Sequence, residues 1–124
     1  HTQNVFAEIC RQFMAHDALG VFGSNARESG SLWGSGYEID SAGILGSGAA
    51  FYGNCFWRQV TDGGGTLTAL DEAIRENRYG FGREHRQRIL FTARPLPRAL
   101  EREVARRHNA SIIGPGVLAG MADE

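Results

Sequence analysis

The residues best suited to chemistry are two acidic side chains on one segment and three positions on the next. Side chains alternate along an extended strand, so Glu38 and Asp40 share one face of the first segment. By the same alternation, Asn54, Phe56 and Arg58 share one face of the second. Carboxylates in such a place can hold Mg²⁺, and a cation beside them can help an attacking water. The spacing therefore indicates the geometry of metal-dependent phosphodiester cleavage.

A long hairpin is predicted to position these residues. Residues 37–45 and 49–58 are two β-like runs, and Gly46, Ser47 and Gly48 separate them. If the two runs pair, the acidic face of the first and the Asn54 face of the second can converge.

The rest of the chain predicts helices on either side of a sheet. Apolar residues at helical spacing predict a helix over residues 5–16, capped by Asn4, and a second helix that Thr66 or Thr68 begins and that ends at residue 77. The other predicted elements are a strand beginning at 20–22, a loop at 23–31, a short strand at 31–34, a glycine-rich turn at 61–65, a loop at 78–87, a strand at 88–92, a helix at 98–108 and a strand at 111–113. This order is typical of one α/β domain, residues 1–124, whose mixed sheet is flanked by helices.

Composition bounds the classes of function. Of the 124 residues, 42% are hydrophobic and 22% charged, as expected of one folded domain. The 13 basic residues are offset by 14 acidic ones, which excludes a module held on DNA mainly by net charge. No apolar run approaches the roughly 20 residues of a membrane helix and no signal segment is recognised, so no membrane association and a cytoplasmic location are expected. Cys10 and Cys55 have no metal or redox spacing and are expected to be buried thiols.

Three segments together resemble a known family. They are Phe6-Ala-Glu-Ile-Cys-Arg11, Gly30-Ser-Leu-Trp-Gly-Ser-Gly-Tyr-Glu-Ile-Asp40 and Phe51-Tyr-Gly-Asn-Cys-Phe-Trp57. The set resembles the PD-(D/E)XK nuclease-like domain at the C-terminus of archaeal-type prokaryotic ATPases, which typically reads Glu-Ile-Asp and then Gly-Glu-Cys-Lys-Trp. The resemblance covers nearly the whole chain. It implies a restriction-endonuclease-like core and, as partner, the remainder of a larger ATPase or another protein.

Two of the three signature side chains depart from that pattern. The resemblance implies that Asp40 is the metal-binding aspartate, that Asn54 stands at the second carboxylate and that Phe56 stands at the lysine. Asparagine is neutral, and phenylalanine can neither activate water nor stabilise a phosphate. All 13 basic residues are arginine, so only Arg58 is left to substitute, and an arginine cannot act as a base. The favoured interpretation is a degenerate site, formed by these four residues and Glu38, with no cofactor expected.

Two other interpretations stay open. A metal ion held by Asp40, Glu38 and Glu8 beside Arg58 would make the domain an active DNA endonuclease that depends on Mg²⁺ or Mn²⁺. An exposed apolar patch formed by the aromatic residues within 51–57 would instead make it a self-association or docking domain.

Arginines also cluster later in the chain. Arg78, Arg83 and Arg86 lie among aromatic residues, a pattern that suits contact with the phosphates or bases of a nucleic acid such as DNA. On the following predicted helix, Glu103 and Arg107 have the spacing of an ion pair on a solvated face. The first cluster is the predicted nucleic-acid interface, in a module that regulates or docks a larger protein.

Overall fold

Two helices and three consecutive strands come first along the chain, and helices then alternate with the last two strands. The computed structural model describes the backbone of residues 2–61 and 65–122 and the side chains of residues 4–61 and 65–118. Its elements are α1 (Thr2–His16), α2 (Leu19–Phe22), β1 (Ala26–Gly34), β2 (Tyr37–Leu45), β3 (Ala50–Phe56), α3 (Thr66–Asn77), β4 (Arg86–Thr92), α4 (Arg98–Ala105), β5 (Ala110–Ile113) and α5 (Pro115–Ala122).

The five strands form one mixed sheet in the order β1-β2-β3-β4-β5. The first three strands are antiparallel neighbours, whereas β4 is parallel to β3 and β5 is parallel to β4. Helices α3 and α4 lie between the parallel strands in the chain, because a parallel connection needs a crossover. The predicted α/β domain with a mixed sheet flanked by helices is confirmed.

Each face of the sheet is covered by a different set of helices. Alternation along β3 sends Phe51 and Cys55 into a core with α1, whereas Ala50 and Tyr52 enter a core with α3 and α4. The apolar stripe of α1 consists of Phe6, Ala7, Cys10, Phe13 and Met14, and that of α3 consists of Leu67, Leu70, Ala73 and Ile74. Both cysteines are buried free thiols in the α1 core, as expected.

The least well predicted element is the edge strand β1. It occupies most of the segment predicted to be a loop, and none of its residues is buried. Because the strand lies at the edge of the sheet and carries few apolar side chains, the alternation that marks a half-buried strand is missing. Residues 20–22 belong to the short helix α2 rather than to a strand.

Other element boundaries also differ from the predictions. Strand β4 already begins at Arg86, helix α4 ends at Ala105, and α5 is an additional helix with Pro115 in its first turn, where proline is tolerated. The turn predicted at 61–65 lies largely outside the described residues. Within the described ranges, no helix has both the length and the apolarity needed to cross a membrane.

Candidate functional site

The hairpin of β2 and β3 opens at the predicted site. Backbone pairing between the two strands runs from Ile44 and Ala50 to Ser41 and Gly53. Beyond that point, side chains bridge the strands.

Asp40 and Asn54 are the bridging residues. The backbone N–H of Asp40 donates to Oδ1 of Asn54 at 3.1 Å, and the backbone N–H of Cys55 donates to Oδ2 of Asp40 at 2.8 Å. Both side chains therefore replace the backbone hydrogen bonds that the ladder would have made. One carboxylate oxygen of Asp40 and the amide oxygen of Asn54 already have structural partners.

A bulge in β2 causes the opening. Gly30 pairs with Ala42 and Leu32 pairs with Ile39, so two steps along β1 match three steps along β2. Ile39 and Ala42 both enter the core under α3, although residues three apart in a regular strand face opposite ways. Asp40 lies within the bulge, and nothing in the hydrophobic pattern predicts this irregularity.

Four of the five residues of the predicted site line one cavity. This cavity has a volume of about 440 Å³, and its lining includes Glu38, Asp40, Asn54 and Phe56. Arg58 is not among the lining residues. Because β3 ends at Phe56, the alternation that was expected to place Arg58 on the same face does not extend to it, and its side chain is exposed.

Of the aromatic residues considered above for an exposed patch, Trp57 is exposed and the others are buried or half-buried. Phe51 is fully buried, and Phe56 is half-buried against the core under α3. The ring of Trp57 contacts Phe6, with 5.7 Å between the ring centres. Phe56 therefore serves as packing against this core.

The carboxylate of Glu8 is occupied by partners on its own helix. Its carboxylate accepts hydrogen bonds from Gln12 at 2.9 Å and from Arg11 at 3.2 Å. These bonds keep the pKa of Glu8 below its ordinary value. Glu8 does not line the cavity of Asp40 and Glu38, and no group of three metal-ligating side chains occurs among the described residues.

Arg11 is the residue near the site that the sequence analysis misses. Its Nη1 donates to the backbone oxygen of Asp40 at 3.3 Å, while Nη2 pairs with Glu8. A guanidinium group on α1 therefore contacts the bulge. Its position three residues after Glu8 is a signal for the ion pair, but the contact with β2 depends on how α1 packs on the sheet.

Cys55 is an unsuitable nucleophile. The hydrogen bond with the Cys10 thiol and burial in the α1 core both raise the pKa of Cys55, with a smaller contribution from the charge of Asp40. A thiol in this environment stays protonated at neutral pH and is unreactive.

The predicted nucleic-acid interface lies at the other end of the sheet. Ala50 pairs with Arg86 and Asn54 pairs with Leu90, so Arg86 is four residues, or about 13 Å along the strands, from the level of Asn54. The arginine loop, defined here as residues 78–86, is therefore at the amino end of β4, whereas the opened hairpin is at the carboxyl end of β3.

Cation–π contacts organise the arginine loop. The guanidinium groups of Arg78 and Arg86 lie 4.9 Å and 4.6 Å from the ring centre of Phe81, which is 38% exposed. Arg83 donates to the backbone oxygen of Gly48 at 3.3 Å. At Gly80, φ is +76° and an added Cβ would lie 2.6 Å from the Tyr52 hydroxyl, so only glycine fits this turn. The three predicted arginines thus lie on one ordered loop.

Asp71 of α3 binds two other arginines, Arg88 and Arg107, near the same end of the sheet. It accepts from Nε of Arg88 at 2.9 Å and from Nη1 and Nη2 of Arg107 at 3.0 Å and 3.2 Å. The pairing predicted between Glu103 and Arg107 is wrong: α4 ends at Ala105, Arg106 pairs with Glu103, and Arg107 turns to Asp71.

We expect Asp71 to make the stability of the fold sensitive to acid. Burial raises the pKa of Asp71, but the hydrogen bonds from Arg107 and Arg88 outweigh it, so the pKa lies below its ordinary value of 3.8. A lowered pKa in the folded state gives stability that is present above the ordinary value and is lost as the pH falls through the folded value. Urea unfolding at pH 7 and pH 3 should show a larger loss for the wild type than for Asp71→Asn. Equal losses would contradict this role.

Comparison with known proteins adds no family to this description: neither the family models nor the curated proteins that were searched match the chain.

Proposed function

We propose that this chain is a nuclease-like domain without catalytic activity that contacts nucleic acid through its arginine loop. The observation that carries the proposal is that the guanidinium groups of Arg78 and Arg86 lie 4.9 Å and 4.6 Å from the ring centre of Phe81, so that one aromatic ring holds two cations together. Guanidinium groups bind phosphate oxygens, and their planar faces can also stack on bases. A loop that holds these groups in order binds with less loss of side-chain freedom.

The charge around the loop supports the same proposal. Among the described residues, Arg78, Arg83 and Arg86 make no ion pair with a carboxylate. The guanidinium charges are therefore not neutralised locally and are available for phosphates. Net charge is close to zero, so the attraction depends on this local cluster.

The nuclease-like part of the proposal rests on the sequence resemblance and is supported by the topology. A helix, three antiparallel strands, a crossover helix and a parallel strand follow one another in the order that the resemblance implies. The loss of catalysis is supported by the hairpin, where Asp40 and Asn54 bond to the backbone and Phe56 packs into the core. The same resemblance leads us to propose that the domain serves a larger prokaryotic ATPase as a regulatory or binding module.

An active endonuclease would need these residues to be arranged differently. Glu8 would have to leave Arg11 and Gln12 to join Asp40 and Glu38 around a metal ion. Nucleic acid bound to the arginine loop would also have to reach the opposite end of the sheet. Both demands favour the inactive binding module.

The binding proposal is tested with fluorescently labelled single-stranded and duplex oligonucleotides. We expect Arg78→Gln combined with Arg83→Gln to weaken binding about tenfold and to lower the slope of log affinity against log salt by roughly two, because each arginine contacts about one phosphate. A matched control is Arg98→Gln with Arg102→Gln, which removes the same charge from exposed positions on α4. Equal weakening by the two double variants would contradict a specific role for the loop.

A further inference from the structure

A polar cavity lies between the amino ends of β4 and β5, beside the arginine loop. Its volume is about 300 Å³, and two segments that are distant in sequence line it. The lining includes Glu84, His85, Arg86, Arg88, His108 and Asn109. Within the part of the chain that the structure describes, this cavity shares no lining residue with the cavity at the opened hairpin.

The sheet fixes the walls of the cavity. The backbone N–H of Arg88 donates to the backbone oxygen of Asn109 at 2.8 Å, next to the pairing of Arg88 with Ala110 at the start of the β4–β5 ladder. On the other side, the backbone oxygen of His85 accepts from the N–H of Ala50 at 2.9 Å. Both segments are therefore anchored at the backbone, and their side chains surround a defined space.

The charges around the cavity favour an anion. Arg88 and Arg107 share the single carboxylate of Asp71, so this trio keeps one positive charge. Arg86 adds a second and Glu84 offsets one, so the net charge around the cavity is +1 with the histidines neutral. Two imidazoles and a carboxamide provide hydrogen-bond donors whether or not the histidines are protonated.

The side chains that line the cavity contribute to ligand binding in different ways. Arg88 already uses Nε for Asp71 and Nη1 for the backbone oxygen of Arg86, so it contributes mainly through its charge. His85 and His108 are exposed on the rim, where they can donate directly to a ligand. A phosphate group matches this set, because it has several acceptor oxygens and a negative charge.

We infer that this cavity binds a phosphate group, and specifically the terminal phosphate of a nucleic-acid strand. The cavity is about ten times the roughly 30 Å³ that one water occupies, which leaves room for an attached sugar. Its position next to the arginine loop would let one strand contact both. The choice of a strand end rests on the proposed nucleic-acid function, whereas free phosphate offers the same chemistry.

Two measurements on the whole chain test the inference. In the first, inorganic phosphate is titrated while the imidazole signals are followed by NMR; we expect saturable shifts for His85 and His108 and none for His16, which lies on α1. In the second, oligonucleotides with and without a 5′-phosphate are compared; we expect the phosphate to tighten binding about tenfold, the effect of one hydrogen bond to a charged group. His108→Ala, which removes the side-chain donor, should remove this advantage, and the control His16→Ala should keep it.

The outcomes separate the sources of phosphate and the two proposals. Shifts with inorganic phosphate but no preference for a 5′-phosphate support the cavity with free phosphate as its ligand. Neither shifts nor a preference, or a preference that His108→Ala retains, would overturn the inference. Binding of the unphosphorylated oligonucleotide through Arg78 and Arg83 tests the proposed function separately, so either proposal can fail while the other stands.

Discussion

Replacing Asp40 with alanine is expected to lower the free energy of unfolding by about 2 kcal/mol, because the variant leaves the buried N–H of Cys55 without an acceptor. Asp40→Asn should cost less, since its amide oxygen can still accept this hydrogen bond. Urea unfolding of the purified domain measures both effects.

Glu38→Ala is the matched control for this prediction. Glu38 lines the same cavity and is exposed, so its removal should change stability by no more than about 0.5 kcal/mol. If Asp40→Ala were as stable as Glu38→Ala, the carboxylate would not hold the opened hairpin together. The order Asp40→Ala, Asp40→Asn, Glu38→Ala is thus a direct measure of the structural role of this aspartate.

The second large effect is expected at Gly43, in the paired part of β2. An added Cβ would overlap the backbone oxygen of Glu28 and lie 2.8 Å from the Cα of Ser29. Because both atoms belong to the backbone of β1, the edge strand would have to move away. We expect Gly43→Ala to cost about 3 kcal/mol, at the upper end of overpacking effects.

A nearby glycine provides the control. An added Cβ at Gly30 on β1 meets nothing within 4 Å, so Gly30→Ala should change stability by less than about 0.5 kcal/mol. Circular dichroism shows whether each variant folds, and urea unfolding gives its stability. A Gly43→Ala variant as stable as Gly30→Ala would contradict the close approach of the two strands.

The sequence predicts the parts of the fold in which burial leaves a regular pattern. Helix α3 falls within the predicted limits because its apolar residues recur at the spacing of one buried face, and strand β2 does so because its β-like run ends at the glycine turn that begins with Gly46. Strand β1 has no buried residue, so its pattern resembles that of a loop. Pairing with β2 makes this segment a strand, and pairing is a tertiary property.

The same distinction applies to the candidate site. The hairpin of β2 and β3 brings Glu38, Asp40, Asn54 and Phe56 to one cavity, and the site expected from them stays a prediction. Arg58 does not line this cavity, because β3 ends two residues earlier. The sequence has no local signal for the end of a strand beside an open cavity. The contact of Arg11 with Asp40 also depends on the packing of α1 across the sheet.

The structure separates two regions that a working nuclease would combine. The opened hairpin has carboxylates but uses Asp40 for backbone hydrogen bonds, and the arginine loop has the cations for phosphate at the opposite end of the sheet. The proposed role as an inactive binding module follows from this separation. It also places the inferred phosphate cavity on the side of the loop.

The most direct test of the central proposal, that the hairpin site is structural and not catalytic, is a calorimetric titration with Mn²⁺ followed by a plasmid-nicking assay at the same metal concentration. Asp40→Asn is the comparison variant, because it is expected to keep the fold. We predict no saturable binding and no nicking for the wild type. Stoichiometric Mn²⁺ binding and nicking that Asp40→Asn abolishes would contradict the proposal and identify an active nuclease.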